Sequence, residues 1–368
     1  METFDHIVVG AGAMGSATAW QLASRGHSVA LIEQFDIAHD KGSSHGAVRI
    51  FRFAYRNPLY TKLAMETLPL WRELEAETNE NLLSQIGNLD HGVPLAISEI
   101  ETSLRNAGRD FSRMSPEEAH ERWPGMKFNQ EIIFSPDGGI VQADGSIRAM
   151  VRRFEELGGR LFTNVHVEDI EIDGDIATVA TAEGTFRSKS VVVCAGPWFE
   201  KLIGGKVKLP KIVIELGQPT HFTPLPKFNN SNLWPSFIHH ASEANTVSSV
   251  SGGAYGMYTP GVGVKIGFEE QGHLVDPDNR DFLIDPQWLE HTKNYVREWF
   301  PGVDSESAEA VTCLFTNTPN SDFILDRQGP LTVVSACSGH GFKFVPRIGQ
   351  IAADLACGST QHVPEWRF

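Results

Sequence analysis

Three glycines near the start of the sequence, Gly10, Gly12 and Gly15, have the spacing G-x-G-x-x-G, and an acid follows at Glu33. In this motif the first glycine permits a sharp turn, the second lets the backbone approach a pyrophosphate, and the third allows close packing of helix and strand. The carboxylate of Glu33 is placed to accept both hydroxyls of a ribose. The pattern therefore predicts a site for an adenine dinucleotide, and it does not choose between FAD and NAD.

The elements around these glycines must place them between the end of a strand and the start of a helix. Ile7 to Val9 is a short apolar run, typical of a strand that is buried on both faces. A helix with Ala19 and Leu22 on one face follows and ends near Gly26, and a second strand leads to Glu33. The amino end of this helix offers free N–H groups and a positive dipole end to phosphates. We therefore expect a Rossmann-like unit here.

The composition limits the class of protein. The 368 residues allow two domains, and 41% hydrophobic with 21% charged residues is typical of a globular chain. Acidic residues outnumber basic ones by 46 to 31, and the net charge of −15 argues against nucleic acid or an anionic membrane as a partner. Because no apolar run approaches the ~20 residues of a membrane span and the start METFDH has no signal pattern, we expect a cytoplasmic enzyme.

The four cysteines are Cys194, Cys313, Cys337 and Cys357, and no C-x-x-C pair occurs among them. In a cytoplasmic chain we expect them to be reduced thiols. Their spacing implies no zinc site, so we expect no metal.

Strand and helix patterns divide the chain into two interleaved domains. Residues 1–84, 143–211 and 320–368 form the predicted dinucleotide domain, and residues 85–142 and 212–319 form two excursions from it. We expect an α/β fold in which the Rossmann-like domain is interrupted by an α+β domain with a mainly antiparallel sheet.

Two local expectations concern the borders of these segments. Gly92 to Ile97 has a strand-like pattern. Ser146 is expected to cap a helix that carries Ile147 and Phe154 on its apolar face and closes at Gly158.

Six stretches of the sequence together resemble the family of monomeric sarcosine oxidase and N-methyltryptophan oxidase, which are flavoprotein amine oxidases. They follow the family order over nearly the whole chain: GSSHGAVRIFRFAY at 42–55, RWPG at 122–125, VVVCAGPW at 191–198, VKIGF at 264–268, AVTCLFTNT at 310–318 and SGHGFKF at 338–344. The resemblance implies a monomer with an FAD-binding domain and a substrate domain. It also implies oxidation of a C–N bond in a secondary amino acid, with O₂ reduced to hydrogen peroxide.

The resemblance assigns two residues to the flavin and to oxygen. Cys313 stands where the family attaches FAD through a thioether, although a buried free cysteine is a common alternative. Lys265 stands where the family places a lysine over the flavin to promote reaction with oxygen, since a fixed ammonium stabilises the negative charge that develops on O₂.

Other charged residues are implied to lie around the substrate and the flavin ring. Arg52 and Lys343 resemble the pair that holds the substrate carboxylate. Arg49 and His45 match residues near the flavin, where a cation stabilises the reduced anionic ring. His340 is implied in the substrate pocket, and a packed histidine bonded to a carbonyl is the alternative for both histidines.

The glycine motif and the resemblance together imply a larger set of FAD-binding residues. These are Gly10, Gly12, Ala13, Met14, Gly15, Glu33, Gln34, Ser43, Ser44, Arg49, Val167, Ala195, Gly196, Trp198, Cys313, Ser338, Gly339, Gly341, Phe342 and Lys343.

Two positions depart from the family's sarcosine oxidases. Phe315 replaces a tyrosine and Glu269 replaces a histidine, so the pocket loses a hydroxyl and gains an acid. We therefore expect a substrate larger than sarcosine, with Glu269 contacting an extra cation or polar group; a solvated carboxylate at a strand end is the alternative. Tyr255 lies close to the position of a pocket tyrosine in the family.

Other classes of protein remain open at this point. A flavin-dependent dehydrogenase or monooxygenase could use the same fold, and a non-catalytic flavin-binding subunit is a third interpretation. An NAD-dependent dehydrogenase is disfavoured, because it would leave Cys313 and the SGHGFKF stretch without a role.

Overall fold

The computed structural model of the protein describes residues 1–240, 253–268 and 273–368. The helices in these ranges are α1 (Ala13–Ser24), α2 (Pro58–Thr78), α3 (Pro94–Asn106), α4 (Pro116–Arg122), α5 (Ala143–Glu156), α6 (Phe199–Ile203), α7 (Pro286–Trp299) and α8 (Val345–Ala356). None of the helices within the described ranges is long and apolar enough to cross a lipid bilayer.

The strands in the same ranges follow in chain order. They are β1 (Glu2–Val9), β2 (Val29–Ile32), β3 (Val48–Phe51), β4 (Leu83–Ser84), β5 (Asn88–Gly92), β6 (Ser112–Met114), β7 (Ile132–Ser135), β8 (Gly139–Gln142), β9 (Arg160–Phe162), β10 (Val167–Asp173), β11 (Ile176–Thr181), β12 (Gly184–Val193), β13 (Val213–Gly217), β14 (Thr220–Phe222), β15 (Ser236–His240), β16 (Ala254–Thr259), β17 (Gly263–Phe268), β18 (Glu309–Ala310), β19 (Cys313–Asn317), β20 (Ile324–Gln328) and β21 (Leu331–Ser335).

The first sheet carries the glycine motif. Its strands lie in the order β10-β11-β12-β1-β2-β9, with β21 beside β12 and β20 beside β21. β1 is parallel to both of its neighbours, β2 and β12. Val8 packs into the core under the helices, while Ile7 and Val9 pack into a second core on the other face. This alternation is what a strand buried on both faces requires, and its carboxyl end leads directly into Gly10.

Helices α1, α5 and α8 cover one face of this sheet. α1 packs against both of the others. Its contact with α8 is close because Gly349 faces Ala17: a Cβ at position 349 would lie 2.6 Å from the Ala17 Cβ. A larger residue at position 349 would push the helix that opens the dinucleotide site away from α8.

The second sheet has the order β18-β14-β17-β16-β15-β5-β7-β6 and is antiparallel except at the pair β15-β5. Val264 and Ile266 of β17 join an aromatic core that includes residues of α4 and α7. Lys265, between them, must point to the opposite face because side chains alternate along a strand. The mixed α/β fold with a mainly antiparallel second sheet confirms the predicted fold class.

The two large sheets fall into different segments of the chain. All strands of the first sheet lie within 1–84, 143–211 and 320–368, and all strands of the second lie within 85–142 and 212–319. A three-stranded sheet of β3, β8 and β4 draws strands from both sets, and β13 pairs with β19 alone. The division into two domains at these boundaries stays a prediction.

Two local expectations were wrong. Only Gly92 of the expected strand Gly92 to Ile97 belongs to a strand, because Pro94 opens α3 and the buried Ile97, Ile100 and Leu104 have helical spacing. Ser146 does not cap α5, which begins three residues earlier, at Ala143; its hydroxyl instead donates to the carbonyl oxygen of Gln142, the residue before the helix.

Candidate active site

A cavity of about 400 Å³ runs from the glycine turn to strands β16, β17 and β19. Almost all of the residues predicted to bind cofactor or substrate line it. These are Gly10, Gly12, Ala13, Met14, Glu33, Gln34, Ser43, Ser44, His45, Arg49, Arg52, Val167, Ala195, Gly196, Trp198, Tyr255, Lys265, Cys313, Gly339, His340, Gly341, Phe342 and Lys343.

Two predicted site residues within the described ranges, Gly15 and Ser338, do not line this cavity. Gly15 packs behind the glycine turn. Ser338 is buried, and its hydroxyl is bonded to the backbone of Thr318 and Asp322. Glu269 lies outside the described residues, so its expected contact with substrate stays a prediction.

The glycine turn has the geometry that its sequence requires. Gly10 has a φ of +95°, and a Cβ there would lie 2.5 Å from the carbonyl oxygen of Cys194. A Cβ at Gly15 would lie 1.7 Å from the carbonyl oxygen of Gly10. Only glycine fits at either position. Gly10 needs a left-handed backbone conformation, and Gly15 allows the helix to approach the turn closely.

Glu33 lies at the end of β2 beside this turn and is 4% exposed. Its two carboxylate oxygens accept from the backbone N–H of Ala11 at 2.7 Å and of Phe35 at 3.0 Å. Burial raises the pKa of Glu33, and the backbone hydrogen bonds act against that shift. Each oxygen keeps a further lone pair, so the carboxylate can still accept from ribose hydroxyls.

Several buried polar atoms along the cavity wall have no partner among the described residues. They include the Ser43 hydroxyl, Nε2 of His45 and the Thr316 hydroxyl. Buried polar groups in folded proteins are nearly always hydrogen-bonded, so these atoms indicate a polar molecule in the cavity. Together with the glycine turn, they fit an adenine dinucleotide that extends from Gly10 towards β17 and β19.

Lys265 lies on the cavity side of β17 and is 6% exposed. Its ammonium donates to the carbonyl oxygen of Val48 at 3.2 Å, which connects the second sheet to β3. Burial, with the charge of Arg49 as a second cause, lowers the pKa of Lys265 to about 7. In its protonated form the side chain is a cation held in a cavity wall that excludes water. This arrangement stabilises developing negative charge.

Arg49 holds the loop before β3. Its guanidinium donates to the carbonyl oxygens of Val48 at 3.0 Å, Ser43 at 3.2 Å and His45 at 2.6 Å. Burial and the nearby Arg49 lower the pKa of His45 to about 4, so this imidazole is neutral near pH 7. Of these two cavity residues, Arg49 is therefore the cation and His45 is not.

Arg52 and Lys343 approach the same aromatic ring. The guanidinium of Arg52 lies 4.0 Å from the centroid of Tyr55, and the ammonium of Lys343 lies 5.5 Å from it. Both side chains are buried and line the cavity. Arg52 also donates to the carbonyl oxygen of Ala54, and Lys343 donates to that of His340 at 2.6 Å. The planar guanidinium of Arg52 and the ammonium of Lys343, held side by side, can bind one carboxylate.

His340 lines the cavity, and both of its ring nitrogens have partners within the protein. Nε2 lies 3.0 Å from the carbonyl oxygen of Ser321, and Nδ1 lies 3.5 Å from the Tyr55 hydroxyl. Burial and the charge of Lys343 lower its pKa to about 3, so it is neutral. Its geometry is that of a packed histidine that shapes the pocket.

Cys313 lies on β19 with its thiol against β13. A Cβ at Gly217 would lie 2.8 Å from the Cys313 sulfur, so glycine leaves the room that the thiol occupies. Burial raises the pKa of Cys313, while Arg49, Lys265 and Arg280 act to lower it. Cys337 lines the same cavity, and its sulfur accepts from the backbone N–H of Thr316 at 3.4 Å.

Sequence reasoning missed several residues of this site. His221 and Met257 line the cavity on the strands that flank Lys265, directly opposite it in register. Arg280 donates to the carbonyl and hydroxyl oxygens of Thr312 and so braces the segment before Cys313. No motif marks these residues, because strand register and loop docking bring them here.

The glycine turn, the unpaired polar atoms and the buried cations define a class of protein: an enzyme whose Rossmann-like unit holds a dinucleotide with its reactive end at a second sheet. The FAD dependent oxidoreductase family matches residues 5–355. The chain belongs to this family and, within it, to the group of the sarcosine and N-methyltryptophan oxidases. It is an FAD-dependent oxidoreductase that acts on CH–NH donors with oxygen as acceptor.

Individual relatives and structures cover nearly all of the chain. Monomeric sarcosine oxidase of Bacillus sp. (strain B-0618) is 32% identical over 375 aligned positions, covering 98% of this chain and 94% of the relative. N-methyl-L-tryptophan oxidase of Citrobacter koseri is 26% identical and covers 97% and 95%. The solved structure of NikD, described as an unusual amino acid oxidase essential for nikkomycin biosynthesis, is similar with a TM-score of 0.85, 27% identity and coverage of 99% and 96%.

Proposed function

We propose that the protein is an oxidase of a secondary amine or N-substituted amino acid, such as an N-methyl amino acid, a cyclic imino acid or a fructosyl amino acid. One observation carries this proposal: the buried cations Lys265, Arg52 and Lys343 line the same cavity as the glycine turn. Burying a charge is costly unless it is used, so a protein that only bound a nucleotide would have no need for all three.

The names of the relatives support an amino-acid substrate. Sarcosine and N-methyl-L-tryptophan both carry an N-methylated amine next to a carboxylate. In this chain Arg52 and Lys343 bind that carboxylate, which fixes the neighbouring carbon and nitrogen inside the cavity. The positive charge of Arg49 disfavours the ammonium form of the substrate, so the amine binds neutral with its lone pair free.

FAD held at the glycine turn would supply an acceptor for the hydride of the C–H bond beside the nitrogen and a two-electron donor for O₂, with hydrogen peroxide as the second product. Water hydrolyses the imine formed from the substrate. Lys265 acts in the oxygen step, where its ammonium stabilises the negative charge that O₂ acquires. We further infer that FAD is attached through the Cys313 sulfur and that the active unit is a monomer.

A peroxide-coupled screen of amines, with the purified protein in air, tests the proposal. We expect peroxide from at least one N-substituted amino acid and much slower peroxide formation from the same amine without its carboxylate. The same substrate must bleach the flavin when oxygen is absent and release one peroxide per reduced flavin when air is admitted. Bleaching without peroxide would identify a dehydrogenase, and no bleaching by any amine would reject the proposal.

A further inference from the structure

Three side chains that bind soft metal ions meet away from the cavity. His6 belongs to β1, His27 lies two residues before the start of β2, and Cys357 directly follows α8. Their ligand atoms all lie within 4.8 Å of one another. None of the three residues lines the FAD cavity, which begins at Val9 and Gly10, beyond His6 in the chain.

The spacing of these atoms matches a metal site. The Cys357 sulfur lies 3.4 Å from Nε2 of His27 and 3.9 Å from Nε2 of His6, and the two imidazole rings meet edge to face at 4.7 Å. In a tetrahedral zinc site, Zn–N and Zn–S bonds of about 2.0 and 2.3 Å place nitrogen and sulfur ligands about 3.5 Å apart. The two sulfur–nitrogen distances are therefore close to those of a zinc site, and the two imidazole nitrogens, within 4.8 Å of each other, can approach further by side-chain rotation.

His6 gives a second, independent indication of a ligand. Its side chain is more than nine-tenths buried, and its Nδ1 has no hydrogen-bond partner in the described part of the chain. Its Nε2 lies 3.9 Å from the Cys357 sulfur, which makes at most a weak hydrogen bond. A metal ion at Nε2 would replace this weak contact with a strong bond, and Nδ1 would need a partner of its own.

The surroundings allow a cation. The nearby Arg25 is paired with Asp354 at 2.9 Å, and Arg327 donates to the carbonyl oxygens of Gly329 and Leu355. Cys357 is exposed, so a water molecule can reach the ion.

We propose that His6, His27 and Cys357 bind a zinc ion, with water as the fourth ligand. Two imidazoles and a thiolate favour zinc over the hard cations that take oxygen ligands. The ion joins β1, the entry to β2 and the end of α8, and its role is structural because none of its ligands lines the FAD cavity. The expectation of no metal came from cysteine spacing alone, and these ligands come from both ends of the chain.

Metal binding to the flavin-loaded enzyme tests the site. The protein is stripped with a chelator and titrated with Zn²⁺ by calorimetry and with Co²⁺ by absorption. We expect one equivalent of either metal, a thiolate-to-cobalt charge-transfer band in the near ultraviolet, and a higher melting temperature with Zn²⁺. Cys357→Ser should abolish the band, and His27→Ala should weaken binding by at least about tenfold.

His273→Ala, which removes an exposed histidine elsewhere in the chain, is the matched control and should bind as the parent does. The flavin spectrum of each variant shows that it is folded. No binding at micromolar metal, a cobalt complex without the thiolate band, or equal affinity in the parent and both variants would overturn the proposal.

Discussion

The guanidinium of Arg52 lies 3.7 Å from the carboxylate of Asp90, and both side chains are buried. Asp90 does not line the cavity; it lies behind Arg52 and accepts hydrogen bonds from Asn88 at 2.6 Å and His240 at 2.9 Å. Arg52 therefore has an internal counter-ion. A substrate carboxylate that binds to Arg52 must share the positive charge with Asp90.

Asp90→Asn tests this sharing. Arg52 keeps its contacts with Ala54 and the Tyr55 ring, so its position is retained while the competing negative charge is lost. We expect KM for amino-acid substrates to fall by about tenfold, with no change for amines that lack a carboxylate. The free energy of unfolding should fall by about 3 kcal/mol, because a buried cation loses its partner.

The measurements are steady-state kinetics and denaturant unfolding, with Asp137→Asn as the control because Asp137 pairs with Arg109 away from the cavity. A KM that rises equally for both kinds of substrate would show that Asp90 positions Arg52 and does not compete for it.

Removing either carboxylate-binding cation should have the opposite effect. We expect Arg52→Met and Lys343→Met each to raise KM for an amino-acid substrate by about 10–100-fold, because each loses a charge-assisted hydrogen bond of ~1.5–3 kcal/mol. The corresponding amine without a carboxylate should be oxidised at the same low efficiency by all three enzymes. A uniform loss across both substrates would indicate damage to the FAD site.

Local patterns predicted the parts of this structure that local geometry determines. The turn at Gly10 and Gly15 has only one residue type that fits, so the motif gives both its conformation and its place between β1 and α1. Arg52, Lys265 and Lys343 were found through the family resemblance, because the sequence around each of them does not indicate that they line one cavity.

Residues defined by tertiary pairing could not be predicted in this way. His221 faces Lys265 because β14 and β17 pair in one register, and a shift by one residue would turn it to the other face. Asp90 on β5 meets Arg52, which directly follows β3 of another sheet, only through the packing of these segments in the folded chain. The strand predicted from Gly92 to Ile97 was wrong because Pro94 ends the strand and starts a helix.

Lys265→Met should separate the two halves of the reaction. We expect anaerobic reduction of the flavin by substrate to be nearly unchanged, while the rate constant for reoxidation by O₂ falls by about 10²–10³-fold, as for the loss of one charge-stabilising group. Stopped-flow absorption measures both steps. Lys227→Met, an exposed lysine over Phe228, is the control and should leave both rates unaltered. An equal fall in both steps would place Lys265 in substrate binding.

The same lysine predicts a pH dependence. Burial and Arg49 lower the pKa of Lys265 from 10.5 to about 7, with Cys313 and Asp144 acting in the other direction. The ammonium form is lost as pH rises through about 7, so the reoxidation rate constant should fall above that pH in the parent and stay flat in Lys265→Met. A profile that survives the substitution would assign the titration to another group.

The free energy of unfolding should change with pH in the opposite direction to the reoxidation rate constant. Between pH 7 and 10.5 the unfolded chain keeps a proton on this lysine that the folded chain releases. The contribution of Lys265 to the free energy of unfolding therefore rises with pH across this window and is constant above it. Denaturant titrations at several pH values, compared between the parent and Lys265→Met, measure the difference.

Attachment of FAD through Cys313 predicts where the flavin goes when the protein is precipitated with acid. The pellet should be yellow for the parent and for Cys337→Ser, whose sulfur shares the cavity, and the yellow colour should move to the supernatant for Cys313→Ser. Gly217→Ala provides a finer test, because its Cβ would lie 2.8 Å from the Cys313 sulfur and displace it. That variant keeps the thiol, so a lower covalent fraction with unchanged FAD binding would show that the position of the sulfur limits the reaction. A yellow pellet from Cys313→Ser would assign the bond to a different residue.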